Sequence, residues 1–522
     1  MDLALIAHVL NRVAFGPRAD DWHHVERVGV DTYLSEQLHP ERLEDAATQA
    51  AVARLETLKM NTATLLREYP SPQRVRRMMR DEEELDEEMT RQVAMHSLLP
   101  ARQLSMARMA RAIGSTRQLN EVLVDFWFNH FNVFVAKGPL RHLVIEYERD
   151  LIRPHVLRSF RDLLGGVARS PAMLVYLDNW RCGAEPDREV ARRQPGRFHR
   201  HDAVYDAMRR VGFGGRFGSR RDRSRAQGPL GHRPEGLNEN YARELLELHT
   251  LGVDGGYTQK DVREVARAFT GWTLELTADG GGRFAFRPDW HDAEEKVVLG
   301  QRLPAGGGIE DGETVLDILA RHPSTARFLA TKLCRRFVAD QPPASIIDKA
   351  AATFASSGGD LRATLETILY SPEFRQPRVF GAKVKSPLEF LVSAARALGL
   401  PGRADPRLPQ AVRALGQPLY GASAPTGYPD DATAWSSANA LLARMRAASE
   451  LAQVASEHNL LWRGRNATLE QRVDGLLEQL LPGGEVSQLR PQVLSWGASM
   501  AAAPTEAEIA TLILGSPEFQ RK

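Results

Sequence analysis

Apolar residues recur at spacings of three and four along most of the chain, which predicts a mainly α-helical protein. The clearest helix start is Ser386-Pro387-Leu388-Glu389, with an N-cap Ser, a Pro at the first helical position and a Glu three after the cap, just before Phe390-Leu391-Val392. Ser115-Thr116-Arg117-Gln118 and Thr258-Gln259-Lys260-Asp261 are weaker versions of the same signal. Alternating strand–helix units are absent from the pattern, as is a glycine-rich phosphate loop followed by Lys. A small β element is expected at Thr273–Leu299, where Phe284-Ala285-Phe286 and Val297-Val298-Leu299 flank turn-forming residues. The expected architecture is therefore a multi-helical single body. Its parts are an N-terminal helical part over 1–180, an Arg-rich insertion over 181–235, a central part over 236–380 that carries the candidate site, and a C-terminal helical part over 381–522.

Two segments depart from the periodic background. Arg74 to Arg91 runs from basic to strongly acidic and predicts a solvated helix with charge pairs on its flank. Arg181 to Glu235 holds 14 Arg against 7 Asp or Glu, with many Gly and little apolar periodicity, and reads as a long mobile insertion. Its Arg forks and Phe198, Phe213 and Phe217 suit phosphate contact and base stacking, the alternative to a solvated loop. The stretch Leu369-Tyr370-Ser371-Pro372-Glu373-Phe374 is echoed by Leu514-Gly515-Ser516-Pro517-Glu518-Phe519, two similar helix ends that do not make a repeat architecture.

Candidate chemistry appears where ionisable residues fall on apolar helix faces. In a helix predicted over Leu119–Val135, Glu121, Asp125, Asn129 and Asn132 share one narrow arc, while His130 falls among Leu123, Phe126 and Phe134. A buried imidazole needs a hydrogen-bond partner or a metal, since leaving it unpaired costs about 1–3 kcal/mol. In a second helix, predicted over Asn238–Leu251, Glu239, Asn240, Arg243, Glu247 and Thr250 form the polar arc, whereas Glu244 and His249 lie inside the apolar one. Glu244 and His249 diverge too far around the helix to chelate one ion alone, so a shared site needs other elements. His130 and the adjacent His291-Asp292 are the suppliers. The expectation is that His130, Glu244, His249 and at least one of His291 or Asp292 converge, as ligands of a divalent zinc, iron or manganese ion or as a structural polar network. Glu244 and His249 are the candidate catalytic pair, and the burial expected is of His130, Glu244 and His249, with Glu239, Arg243 and Glu247 facing solvent or forming surface pairs.

These residues also carry a resemblance. Leu10-Asn11-Arg12-Val13-Ala14-Phe15-Gly16-Pro17, Phe126-Trp127-Phe128-Asn129-His130-Phe131, Ser170-Pro171-Ala172-Met173-Leu174-Val175-Tyr176-Leu177-Asp178-Asn179 and, most densely, Asn238 through Val253 resemble the bacterial family catalogued as domain of unknown function 1800. The likeness continues through Tyr257-Thr258, Phe269-Thr270-Gly271-Trp272, His291-Asp292 and Leu299-Gly300, and so spans essentially the whole chain. It implies no activity, cofactor or catalytic residue. It does imply a protein partner from a companion family, domain of unknown function 1501, which resembles sulfatase and alkaline-phosphatase folds, and it implies an export signal. The opening Met1-Asp2-Leu3-Ala4-Leu5-Ile6-Ala7-His8 departs from such a signal, and the Arg-rich connection between Asn179 and Asn238 is longer than the family suggests.

Composition narrows the classes. With 522 residues, 43% hydrophobic and 26% charged, the chain is long enough to bury a large core without a metal or disulfide. The net charge of +2 provides no global field for nucleic acid, and removing the Arg-rich segment leaves the rest net negative, so nucleic-acid binding is the weakest reading. No apolar run is long enough to cross a bilayer. As written the chain is expected in the cytoplasm, with export beside a partner the alternative. Cys182 and Cys334 stand far apart and match no redox or zinc spacing. Two readings remain: a metal-assisted enzyme with a buried His/Glu site, and a non-catalytic helical scaffold or assembly partner of the sulfatase-like companion.

Overall fold

The periodic segments form helices, and the computed structural model describes residues 2–71, 75, 87–184, 236–276, 282–464 and 466–522. Residues 185–235 of the Arg-rich segment lie outside the described residues, as do 72–74 and 76–86 of the segment expected as a charged helix. The helices that build the core and position the site are α1 (Leu3–Val13), α2 (Leu99–Gly114), α3 (Gln118–His130) and α4 (Glu239–Glu244), the last continued by a π-helical turn, Leu245–Leu251. Then come α5 (Gln259–Ala268), α6 (Ile309–Arg321), α7 (Pro323–Phe337), α8 (Pro387–Ala397), α9 (Ala438–Glu457) and α10 (Glu506–Gly515). Among the described residues no helix is long and apolar enough to cross a membrane.

Local chemistry explains these boundaries. At α8 the Ser386 hydroxyl accepts from the Glu389 N–H at 3.3 Å while a Glu389 carboxylate oxygen accepts from the Ser386 N–H at 2.9 Å, the reciprocal cap that the sequence predicts. Thr258 and Asp261 cap α5 in the same way. The signal at Ser115 works differently: its hydroxyl donates to Asp45 at 2.9 Å and accepts from the Arg117 N–H at 3.0 Å, so it shapes the turn before α3 rather than capping the helix.

The β element expected at Thr273–Leu299 is two antiparallel hairpins, β1 (Trp272–Leu276) with β2 (Gly282–Phe286) and β3 (Lys296–Val298) with β4 (Gln301–Leu303). In the first, Trp272 pairs with Phe286. The second runs past Leu299 because Leu299 and Gly300 are its two-residue turn, with φ of 49° and 77°, the positive values such turns require. The Leu299 N–H donates to Asp261 at 2.8 Å, which holds the turn on α5.

One contiguous apolar core runs from Ile6 near the start to Phe519 near the end, with Trp127, Phe131, Phe160, Phe269, Trp272 and Phe337 fully buried. Buried guanidinium groups staple distant segments across it. Arg396 on α8 donates to the carbonyls of Gly16 at 2.9 Å and Ile113 at 2.8 Å and pairs with Asp21, while Arg12 on α1 donates to the Val379 carbonyl at 2.9 Å. α9 lies along α10, and residues 383–385 pair with 520–522 through three backbone hydrogen bonds of 2.8–3.1 Å.

Removing the cap of α8 tests this account of the helix boundaries. Ser386→Ala is expected to cost about 1 kcal/mol, read as a lower urea midpoint at unchanged m-value; an unchanged midpoint would contradict it.

Candidate functional site

The last turn of α3 is where the chain builds a cleft. Asn129 accepts from the Tyr428 N–H at 2.7 Å and donates to the Tyr428 carbonyl at 2.8 Å, and Asn132 donates to the carbonyls of Ala422 and Ala424 at 3.0 and 2.8 Å. These side chains bind loop 417–431 as a second strand would, and the helix ends at His130 instead of reaching Val135. Gly427 sits at φ +71° with its α-carbon so close to Asn129 that a β-carbon would fall 2.4 Å from the Asn129 carbonyl oxygen. Between α3, α7 and this loop lies a cavity of about 280 Å³, whose lining includes His130, Lys332, Asn129, Tyr428 and Asp430.

The polar arc read from the sequence of α3 faces other parts of the protein rather than bulk water. Glu121 is buried and pairs with Arg153 at 2.6 Å, and Asp125 pairs with Arg108. The Arg108 guanidinium also lies 5.5 and 5.1 Å from the ring centres of Phe128 and Tyr420. On the cleft's other wall Glu389 takes charge-assisted bonds from Arg336 and Lys522, which overcome the penalty of burial and hold its carboxyl far below the ordinary range.

His130 is buried, as its phase on α3 predicts, and both ring nitrogens are engaged. One, Nε2, lies 3.1 Å from the His249 carbonyl oxygen, and Nδ1 lies 2.9 Å from the Lys332 amine. A carbonyl can only accept, so Nε2 carries the proton and Nδ1 presents its lone pair to Lys332. Burial, then the Lys332 and His249 charges, drive the His130 pKa well below 6.5. The His249 ring is buried 6.3 Å from His130 and 5.1 Å from Phe131, and burial followed by the Lys332 charge lowers its pKa to about 3. Among the described residues Lys332 has no carboxylate partner; burial lowers its amine to about 8, with the Asp430 charge opposing and that of Arg335 assisting.

The His249 carbonyl is available because of the π-helical turn. Thr250, placed on the polar arc by an ideal α-helix, is fully buried, and its hydroxyl donates to the Leu245 carbonyl five residues back at 2.7 Å. The wider turn therefore carries Thr250 inward, and the last-turn carbonyls need outside donors. Glu244 is half-buried at the junction of α4 and the π turn; burial and then Glu247 raise its pKa, with Arg243 opposing. It makes no hydrogen bond to either histidine. Glu239 and Arg243 both bond Gln259 at 2.7 Å, and Glu247 accepts from the Tyr257 hydroxyl at 2.7 Å, so the outer arc forms surface pairs.

His291 and Asp292 belong to a different cluster. His291 Nδ1 lies 2.8 Å from the Thr270 carbonyl oxygen and Nε2 lies 3.2 Å from Asp311, which also accepts from the buried Lys296 amine at 2.8 Å. Asp292 receives Arg267 at 2.8 and 3.1 Å; these bonds overcome the burial that would raise its pKa and hold it below the ordinary value. The structure brings the His130 and His249 rings to 6.3 Å of each other, while His291 and Asp292 lie in the α5–α6 network. Among the described residues no group of three or more His, Cys, Asp or Glu is placed to hold a metal ion.

Lys332 escapes a search aimed at acids and histidines. The signal that finds it is the one that finds His130: on α7 the apolar positions Phe328, Leu329, Leu333 and Phe337 enclose Lys332 and Arg336, cations on a face turned toward the core.

This is a multi-helical protein with a polar cleft at the junction of two helix ends and a loop. The chain belongs to the family described as Protein of unknown function (DUF1800), whose model matches residues 8–521. No curated protein and no solved structure matches it significantly.

The lowered histidines make stability depend on pH. Unfolded histidines take up protons near pH 6.5 while folded His249 resists until about 3, so the stability they contribute is present above 6.5 and lost as pH falls through that window. The expected slope is about 1.4 kcal/mol per pH unit for each such histidine. Chemical denaturation from pH 7 to 4 should be less steep in pH for His249→Gln than for the parent; parallel curves would contradict the assignment.

Proposed function

We propose that the chain is an enzyme and that the cleft between α3, α7 and loop 417–431 is where it works, with Lys332 as the group that takes up and returns a proton. The observation carrying this reading is a half-buried amine that lines a cavity 2.9 Å from His130 Nδ1 and, among the described residues, has no carboxylate partner; burial lowers its pKa to about 8. General bases work best with a pKa near the working pH, and burial is the usual way a lysine reaches it. At pH 7 roughly one such amine in ten is already neutral.

In this reading His130 is a positioning residue. Its tautomer is fixed from behind by the His249 carbonyl, so its Nδ1 lone pair aims the Lys332 amine. His249 contributes through its backbone carbonyl. The substrate class that fits is a small polar molecule with an acidic C–H or O–H, met by Asn129, Tyr428, Asp430 and Asp431 along the lining. A second reading, a scaffold that docks the sulfatase-like companion, is favoured by the apolar residues Leu441, Leu442 and Met445 on α9, which are 45%, 61% and 39% exposed.

Two measurements test the enzyme reading. With a limiting amine-acylating reagent at pH 7.5, peptide mass spectrometry should find Lys332 labelled at least about tenfold faster than exposed Lys59 or Lys260, because far more of it is neutral. Lys332→Met should change the thermal midpoint by less than about 5 °C, since removing a desolvated amine offsets the His130 Nδ1 left without its donor. Labelling no faster than Lys260, together with a loss of more than about 5 °C in the variant, would make Lys332 a structural residue and sink the proposal.

A further inference from the structure

A second cavity, of about 580 Å³, lies away from the cleft, beside the chain that follows α2 and the first turns of α3. Five arginines line it, Arg111, Arg117, Arg153, Arg158 and Arg362, against three acids, Glu41, Asp45 and Glu121. The acids pair with only two of the arginines. Asp45 spends its oxygens on the Ser115 hydroxyl at 2.9 Å and the Thr116 N–H at 3.2 Å, Glu121 is taken by Arg153, and Glu41 reaches Arg362 only at 3.5 Å.

Donors are therefore left over. Among the described residues the guanidinium groups of Arg111 and Arg158 have neither an ion-pair nor a hydrogen-bond partner, whereas every other arginine of the cavity has at least one. The Nε atoms of Arg153 and Arg362 are buried without an acceptor. Such N–H groups cost free energy unless something supplies oxygen. Arg111 is in addition repelled by Arg153, which adds to burial in weakening its hold on its proton. A lining rich in donors, poor in acceptors and carrying excess positive charge is the complement of an oxyanion, and planar guanidinium forks match phosphate oxygens two at a time.

We propose that this cavity binds a phosphate-bearing small molecule with at least two anionic groups, held by Arg111 and Arg158 with Arg153 and Arg362 donating through Nε. Two unpartnered forks and two spare N–H groups exceed what one phosphate oxygen face can occupy, and the volume lies within the range of small-molecule sites. The site is independent of the cleft: it shares none of the residues assigned to proton transfer, so either proposal stands if the other fails.

The test is isothermal titration calorimetry on the full chain with pyrophosphate, inorganic phosphate and citrate at low ionic strength. Pyrophosphate should bind one to one, more tightly than phosphate or citrate, and more weakly as salt is added. Arg158→Gln, at an exposed position that leaves the fold intact, and Arg111→Gln should each weaken pyrophosphate at least about tenfold. Arg111→Lys, which keeps the charge and removes the fork, should weaken it as well. Absence of binding at millimolar pyrophosphate, equal binding by both Gln variants and the parent, or citrate binding as tightly as pyrophosphate would each overturn the proposal.

Discussion

A neutral imidazole with no access to water must find a partner for each nitrogen, and at His130 that requirement organises three chain segments at once. The His249 carbonyl accepts a hydrogen bond from Nε2–H, and the Lys332 amine donates to the Nδ1 lone pair. Neither partner is local: one comes from the end of a π-helical turn and the other from the middle of α7. The contact fixes the tautomer, closes one helix end and places a lysine where burial lowers its pKa. The cleft exists because α3 stops here, and α3 stops because Asn129 and Asn132 tie it to loop 417–431 instead of prolonging the helix.

The polar groups divide into those that are satisfied and those that are not. Around His291, Asp292, Lys296, Arg267 and Asp311 each charge meets its opposite, and the result is a strap joining α5, α6 and the second hairpin. Glu389 with Arg336 and Lys522 is another such closed set. Removing one member of a set of this kind leaves a buried charge uncompensated, which is why they read as architecture. Lys332 in the cleft and Arg111 in the second cavity differ from these sets: among the described residues neither pairs with a carboxylate, and each lines a cavity.

Much of this is legible in the sequence. Helical phase alone puts His130 and His249 inside, and the caps at Ser386 and Thr258 follow from residue type and spacing. Three features are not legible there. A π turn changes the angular step, so the phase of Asn238–Leu251 is right for His249 and wrong for Thr250. The polar arc of α3 looks solvent-facing because its partners, Arg108, Arg153 and the Tyr428 backbone, are distant in sequence. Inward-facing ionisable groups must meet something polar, but that energetic requirement does not say which groups meet: His291 finds Thr270 and Asp311, while His130 finds a carbonyl and a lysine.

The central claim is that Lys332 is an amine poised near neutrality by its burial beside His130. Its most direct test is a titration by NMR of protein labelled with carbon-13 at the lysine side chains, the Lys332 signal being assigned by its loss in Lys332→Arg. The expected midpoint is about 8. A midpoint at or above 10.5, the value of an unperturbed lysine, would mean that the amine is solvated and that the cleft holds no general base.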